Sequence, residues 1–399
     1  MLLTLLAWFI AVPLAPPLAI LLAELLIGAL SPRATDGIAA PAAMRYRAAI
    51  LMPAHDEAGS IQRFVTALTP HLGDDPADKA HLIVIADNCT DDTAALARAA
   101  GAAVIERQDA TLRGKGHALA FGRDWLAQDP PDCVVVLDAD CEMEGDGLAR
   151  LVTRCVESGR PVQSCYLMRS HAHDAAMVQI SNFAFLIKNL VRQRAAARLG
   201  APAILGGTGM AFPWTLFKGA PLATSDLVED LVLGIDFARA GQPPLYLETA
   251  RTLSDPACQQ ATRTQRTRWE HGFLATAGKQ ALPLIGEGLR RGRWGLFWLG
   301  LHLCVPPLAL LMMLGIAGLG AAILLALLGA SLLPAGLLFA LLAAATVALG
   351  LAWARDGRAA VSVGTLLRIP GYLLWKLPVY LKLVRGKQSE WVRTERKDG

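Results

Sequence analysis

Charge is scarce in this 399-residue chain: Asp, Glu, Lys and Arg make up only 18% of it, and none occurs from Trp294 to Ala354. At about 20 residues per crossing, that stretch has room for two transmembrane helices and a tight hairpin. From Met1 to Pro32 the only charge is Glu24, which allows one further span. The start lacks the basic residues of a cleaved signal peptide, so it reads as a retained helix kinked by Pro13, Pro16 and Pro17. Disulfide and zinc patterns are missing as well. The seven cysteines (89, 133, 141, 155, 165, 258 and 304) form no CxxC pair and no zinc-like spacing with histidine, which suits a reducing compartment. A basic stripe for nucleic acid is also absent, and the net charge is only +4.

The charge that is present gathers beside the apolar blocks. Arg33, Arg45 and Arg47 follow the first, Arg290, Arg291 and Arg293 precede the second, and Arg355 and Arg358 follow the last, while the hairpin near 331–336 has none. By the positive-inside rule the middle of the chain and its C-terminal tail face the cytoplasm. The block Leu366 to Val384 is broken by Arg368, Pro370, Lys376, Pro378 and Lys382, a pattern of helices lying on the bilayer. The rival, a third C-terminal span, would carry Arg385, Lys387, Arg393, Arg396 and Lys397 to the wrong side. Arg outnumbers Lys by 29 to 9 and Ala is abundant, which suits a GC-rich bacterial genome and a multi-pass protein of the inner membrane. The expected plan is an N-terminal span (1–32), a cytosolic domain (45–293), a transmembrane hairpin (294–354), and interfacial helices with a basic tail (360–399).

Within the cytosolic segment, short apolar runs alternate with helical stretches, the signature of an α/β sheet. Strands are expected at 49–52, 82–86, 103–105, 133–137, 162–166, 209–212 and 245–247. Ligands of such sheets bind beyond the carboxyl ends of the strands. Three of those ends carry carboxylates: Pro53-Ala54-His55-Asp56-Glu57, Asp87-Asn88-Cys89-Thr90-Asp91-Asp92 and Asp138-Ala139-Asp140. Strand alternation would point Asp138 and Asp140 to one side, two hard oxygen donors suited to Mg²⁺ or Mn²⁺ and a diphosphate.

Three further motifs stand out. Arg113-Gly114-Lys115-Gly116-His117 fits neither a Walker loop nor GxGxxG, but a lysine between glycines at a helix start suits a phosphate contact. Glu229-Asp230 opens an apolar helix and by itself reads as a dipole device. Gln265, Arg268 and Trp269 share one helix face, where Arg268 offers a forked cation and Trp269 a flat plate for a sugar; the alternative is a basic helix binding lipid headgroups.

Taken in order, PAHDE, ADNCTDDT, RGKG, LDADC, GGTGMAF, VEDLVLG and QRTRW resemble the membrane-bound family-2 glycosyltransferases, the group that includes cellulose, chitin and hyaluronan synthases and ceramide glucosyltransferase. The likeness spans residues 48–275 and the flanking spans. It implies a GT-A domain, a Rossmann-like sheet binding a nucleotide diphosphate sugar. In that family's terms Pro53, His55, Glu57 and Asp87 hold base and ribose, and Asp138 and Asp140 hold nucleotide and metal, with Asp140 the direct ligand. Asp230, with Glu229 beside it, supplies the general base. Gln265, Arg268 and Trp269 lie beside diphosphate and acceptor, and Gly206, Gly207, Thr208 and Gly209 match a loop near the acceptor. Asp56 stands where many relatives have Asn, and Val228 replaces a Thr, without loss of a charged catalytic group.

The expected activity is inverting, metal-dependent transfer from a nucleotide sugar, with UDP-sugars favoured, to a lipid-linked or growing glycan acceptor in cell-surface polysaccharide biosynthesis. Partners would be the donor, the acceptor, the membrane and polysaccharide biosynthesis or export proteins, without nucleic acid. The segment Gly386 to Trp391 either closes over the cleft or stays a solvated tail. A transporter or export subunit is disfavoured because the expected spans hold only Glu24 and His302 as ionisable groups. A non-catalytic nucleotide-sugar sensor is disfavoured by the intact Asp230 and QRTRW. Few spans favour limited addition over a processive synthase; a ceramide-type glycolipid transferase stays open.

Overall fold

The computed structural model describes residues 1–33, 44–73, 80–171, 173–224, 228–256 and 259–385. The tail motif Gly386 to Trp391, Cys258, and Asp226 and Leu227 lie outside the described residues. Its strands are β1 (Ala48–Ala54), β2 (His81–Asp87), β3 (Ala103–Arg107), β4 (Cys133–Val136), β5 (Cys141–Met143), β6 (Val162–Met168), β7 (Met210–Pro213) and β8 (Leu245–Ser254). Its helices are α1 (Leu2–Leu30), α2 (Ile61–Leu68), α3 (Thr93–Ala99), α4 (Lys115–Leu126), α5 (Gly147–Ser158), α6 (Ala176–Leu186), α7 (Gln193–Arg198), α8 (Trp214–Phe217), α9 (Glu229–Arg239), α10 (Gln259–Arg290), α11 (Trp294–Leu303), α12 (Leu308–Leu327), α13 (Leu333–Ala352), α14 (Val363–Leu366) and α15 (Ile369–Arg385).

Packing divides the chain into two units. One, Arg33–Arg169 with Pro202–Ala261, holds the whole eight-stranded sheet in the order β3-β2-β1-β4-β7-β6-β8-β5. Strands β3, β2, β1 and β4 run parallel, β7 is antiparallel to both β4 and β6, β8 is parallel to β6, and β5 is antiparallel to β8. Strands covered on both faces read as continuous apolar runs, and Ile50, Leu51, Val134, Val135 and Val136 are all at 0% exposure. The seven strands expected from the sequence are present. The eighth, β5, has three residues, too few for an apolar period to register.

The other unit comprises Met1–Pro32, Ser170–Ala201 and Thr262–Gln388. Residues 170–201 and 262–293, which fall within the 45–293 range drawn from the sequence, group by packing with the apolar helices. Three helices are long and apolar enough to cross a membrane: Leu2–Leu30, Leu308–Leu327 and Leu333–Gly357. A short apolar helix, α11, precedes the second, and the Pro306-Pro307 pair separates them. Helix α1 continues through Pro13, Pro16 and Pro17. Its single charge is satisfied internally: Arg192 Nε donates to Glu24 Oε2 at 2.5 Å and His302 Nδ1 lies 2.6 Å from Oε1. Arg194 donates to the Gly28 carbonyl at 2.9 Å and to Asp356 at 2.8 Å, covering an orphan acceptor at the end of α1.

Candidate functional site

The parallel strands β3, β2, β1 and β4 end along one edge of the sheet, and most of the sequence-predicted residues leave from that edge. After β1 and β2 the chain turns sharply at Asp56 (φ 52°) and Asn88 (φ 53°), the only non-glycine residues of positive φ among those described. Asp and Asn are the side chains that best tolerate this left-handed geometry. The two loops are laced together. Asp56 Oδ1 accepts from the Thr90 amide at 2.6 Å, the Glu57 amide donates to Thr93 Oγ1 at 2.7 Å, and the Ala58 amide donates to Asp91 Oδ2 at 3.0 Å.

Pro53 stays inside β1, opposite Ile85. His55 Nδ1 donates to the Asp87 carbonyl at 2.7 Å; because a carbonyl only accepts, Nδ1 carries the hydrogen. Glu57 Oε2 accepts from Ser60 Oγ at 3.0 Å, and the Glu57 carbonyl receives the first amide of α2, from Ile61, at 2.9 Å. Asp87 is buried, and its Oδ1 accepts from Arg107 Nη1 at 2.7 Å and from Asn88 Nδ2 at 3.0 Å. Arg107 also donates to the Leu112 carbonyl at 2.7 Å, which fixes the loop leading to Arg113 and Lys115. Asp109 organises that loop by accepting from the amides of Leu112 and Thr111, each at 2.9 Å, and these bonds hold its pKa down at about 2.

Strand alternation does not place Asp138 and Asp140, contrary to the expectation from sequence. Strand β4 stops at Val136, and the carboxylates sit on a turn closed by the Cys141 amide donating to the Asp138 carbonyl at 3.0 Å. The physical reason lies 70 residues away: Thr208, fully buried, accepts from the Asp138 amide at 3.0 Å and draws the backbone out of the ladder. The turn nonetheless converges the two carboxylates. Ligand atoms of Asp138, Asp140 and Cys141 all lie within 4.8 Å of one another. Cys141 Sγ donates to Asp140 Oδ1 at 3.4 Å, and burial, then Asp140 and Asp138, push its thiol well above the ordinary range. A neutral thiol beside two carboxylates leaves an oxygen donor pair, the chemistry that fits Mg²⁺ or Mn²⁺.

Lys115, at the first position of α4, donates to Asp138 Oδ1 and to the Gly207 carbonyl, the latter at 2.6 Å. Burial opposes its charge, but Asp138, followed by Glu229 and Asp230, more than offsets that and raises its pKa. Gly207 has φ +86°, and a Cβ there would lie 3.4 Å from Asp230 Oδ2, so this carboxylate, Gly207 and Lys115 converge. The Leu231 amide donates to Asp230 Oδ1 at 2.9 Å at the start of α9. Glu229 keeps some exposed surface yet sits deep among protein atoms; burial, then the Asp230 charge, raise its pKa from 4.5 to about 7. A small pocket here is lined by Lys115, Gly207, Leu222, Thr224, Glu229 and Asp230.

Gln265, Arg268 and Trp269 belong to the other unit, on α10. All three are partly exposed, and Arg266 and Thr267 between them are buried. Trp269 stacks on Phe185 with ring centroids 5.9 Å apart, and the Arg266 guanidinium lies 4.9 Å from the Trp269 ring centre.

Two supporting residues escaped the sequence reading. Arg107 had only its place at the end of an apolar strand to mark it. Gln163, a polar residue inside the apolar β6, accepts from the Gly206 amide at 2.8 Å and donates to the Thr208 carbonyl at 3.0 Å, pinning the loop that holds Gly207.

A mixed sheet with this order, carrying an acidic turn and a basic loop at its carboxyl edge, is a GT-A-like α/β unit, here in a chain with three membrane-length apolar helices. Residues 47–272 match the model of the glycosyltransferase-like family 2, and the chain belongs to that family; it is a glycosyltransferase. The mannosyltransferase PcManGT from Pyrobaculum calidifontis, solved in complex with GDP-Man and Mn²⁺, is similar in fold, with 19% identity, a TM-score of 0.54, and coverage of 96% of this chain and 95% of that one. Glucosyl-3-phosphoglycerate synthase from Mycobacterium tuberculosis, solved with Mn²⁺, UDP and glucosyl-3-phosphoglycerate, matches at 24% identity over 60% of this chain and 83% of that one, with a TM-score of 0.38. No curated protein matches the chain.

Proposed function

We propose that the chain transfers a sugar, with inversion, from a nucleotide diphosphate sugar to a lipid-linked or growing glycan acceptor at the cytosolic face of an inner membrane. The observation that carries this reading is the convergence of Lys115, Asp138, Glu229 and Asp230 in one unit, beside the oxygen donor pair Asp138 and Asp140. Family membership, and a fold shared with a mannosyltransferase solved in complex with GDP-Man and Mn²⁺, support it.

In this mechanism Asp230 takes the proton of an acceptor hydroxyl as that oxygen bonds to the anomeric carbon. The bond from that carbon to the diphosphate breaks, and its electron pair leaves with the nucleoside diphosphate. Lys115 neutralises part of the departing charge. A divalent cation held by Asp138 and Asp140 would supply further positive charge to the diphosphate. Glu229, beside Asp230, has its pKa raised to about 7 by burial and then by the Asp230 charge, so it holds its proton more tightly than an ordinary carboxyl. His55, Glu57 and Asp87 would hold base and ribose, with Pro53 shaping the strand end and Thr208 fixing the metal-binding turn. For Gln265, Arg268 and Trp269 the role beside diphosphate and acceptor is proposed on the motif alone.

Limited addition is preferred to processive synthesis because only three helices among the described residues are long and apolar enough to cross a membrane. The test is a panel of UDP- and GDP-sugars incubated with the purified chain, with Mg²⁺, Mn²⁺ or a chelator, scoring release of nucleoside diphosphate. Metal-dependent release from one donor is expected. Asp230→Asn should abolish transfer while leaving donor affinity near that of the unaltered chain, and retained turnover would remove Asp230 from the role of base.

A further inference from the structure

Helix α15 is inverted relative to a helix packed in water. Its buried side holds Tyr372, Lys376, Val379 and Tyr380, with Lys376 at 0% exposure, while Leu374, Leu377 and Leu381 face outward at 71%, 39% and 51%. A charge inside and leucines outside suit a helix bordering acyl chains. The neighbourhood agrees, since α15 packs against the membrane-length α12 within the same unit.

The buried lysine has a specific partner. Lys376 Nζ donates to Glu270 Oε1 at 2.6 Å, and Glu270 follows Trp269 directly on α10. One residue further on, His271 Nε2 donates to the Val379 carbonyl at 3.1 Å. The turn of α10 that carries Arg268 and Trp269 is thus gripped from α15 at two adjacent positions. A buried ion pair contributes little net stability, because desolvation offsets the attraction, but it strongly constrains the geometry of both partners. Glu270 Oε2 is buried as well, and Tyr380, on the same face of α15, also lies beside this carboxylate.

We propose that Lys376 is a positioning residue for glycosyl transfer: paired with Glu270, it sets the α10 turn bearing Arg268 and Trp269 from a helix whose outer face lies against the bilayer. This rests on the reading of Arg268 and Trp269 as diphosphate and acceptor residues.

The test uses the full chain purified in detergent, with Lys376→Met, Glu270→Gln and the double variant, each measured for Tm, donor affinity, kcat and KM. The single variants leave one buried charge alone and should lower Tm; the double neutral variant removes both charges and should recover most of it. Positioning predicts that in the double variant kcat stays about tenfold or more below that of the unaltered chain while donor affinity is preserved, because misplacement of a site group acts on the reacting geometry. Recovery of kcat along with Tm would overturn the proposal, reducing the pair to a fold contact. The two readings fail separately: an unaltered chain without transfer on any nucleotide sugar defeats the functional assignment, whereas an active chain with an equally active double variant defeats only the role of Lys376.

Discussion

Lys115 bridges Asp138 and the Gly207 carbonyl, joining the acidic turn after β4 to the glycine loop before β7. An ammonium group thus already occupies the acidic cluster that the donor diphosphate is proposed to approach. Lys115 brings three hydrogen-bond donors and a positive charge to the small pocket it lines. Lys115→Met should therefore raise the KM for donor by about 10- to 100-fold, the range of one or two lost charge-assisted bonds, with a smaller change in Tm. Initial rates across donor concentration check this, and an unchanged KM would leave Lys115 as a structural tie.

Gly209 is the least replaceable glycine of the site loop. It has φ +62°, and a Cβ there would lie 2.1 Å from Ser164 Oγ and 2.2 Å from Thr252 Oγ1, two hydroxyls already bonded to each other at 2.7 Å. Gly145 has a similar φ of +55° but open space around it. Gly209→Ala should cost about 3 kcal/mol or more, and Gly145→Ala about 1 kcal/mol, since the second carries backbone strain alone. Thermal unfolding of both variants separates the two terms.

The parts of this architecture that the sequence made legible are those in which one local signal decides the outcome. Apolar runs such as Ile50-Leu51-Met52 and Val134-Val135-Val136 are sufficient to mark buried strands, and the charge-poor blocks mark the membrane-length helices. Other features depend on partners far along the chain. Nothing near Asp138 announces that Thr208 will capture its amide, so the acidic pair looked like a strand alternation when it is a turn. The partners of Arg192 and Arg194, Glu24 and Asp356, lie 168 and 162 residues away, beyond the reach of any local signal. Lys376 stands out only as a charge interrupting an apolar block, and its burial against Glu270 depends on a partner 106 residues away.

Arg107 and Asp87 are 9% and 8% exposed, so breaking their pair leaves a buried charge rather than a solvated one. Arg107→Ala should destabilise the chain by about 3–5 kcal/mol. It should also loosen the loop before Lys115, because the Leu112 carbonyl loses its donor. Adding Asp87→Asn to that variant removes the orphaned charge and should restore most of the Tm but not the donor affinity. Chemical denaturation and donor titration of the single and double variants test both halves.

The last prediction concerns pH and Glu229. Burial first, and the Asp230 charge second, raise its carboxyl from 4.5 to about 7 in the folded chain. A raised pKa means that the folded state binds this proton more tightly than the unfolded state does. The resulting stabilisation is complete below pH 4.5 and is lost as pH rises to about 7. Above that, ionised Glu229 costs on the order of 3 kcal/mol relative to a group that stays neutral. Glu229→Gln cannot ionise, so it should raise Tm at pH 8 and leave it nearly unchanged at pH 4, measured without donor or divalent cation. If the difference in Tm between the variant and the unaltered chain is the same at both pH values, Glu229 titrates like an ordinary carboxylate and its burial beside Asp230 does not raise its pKa.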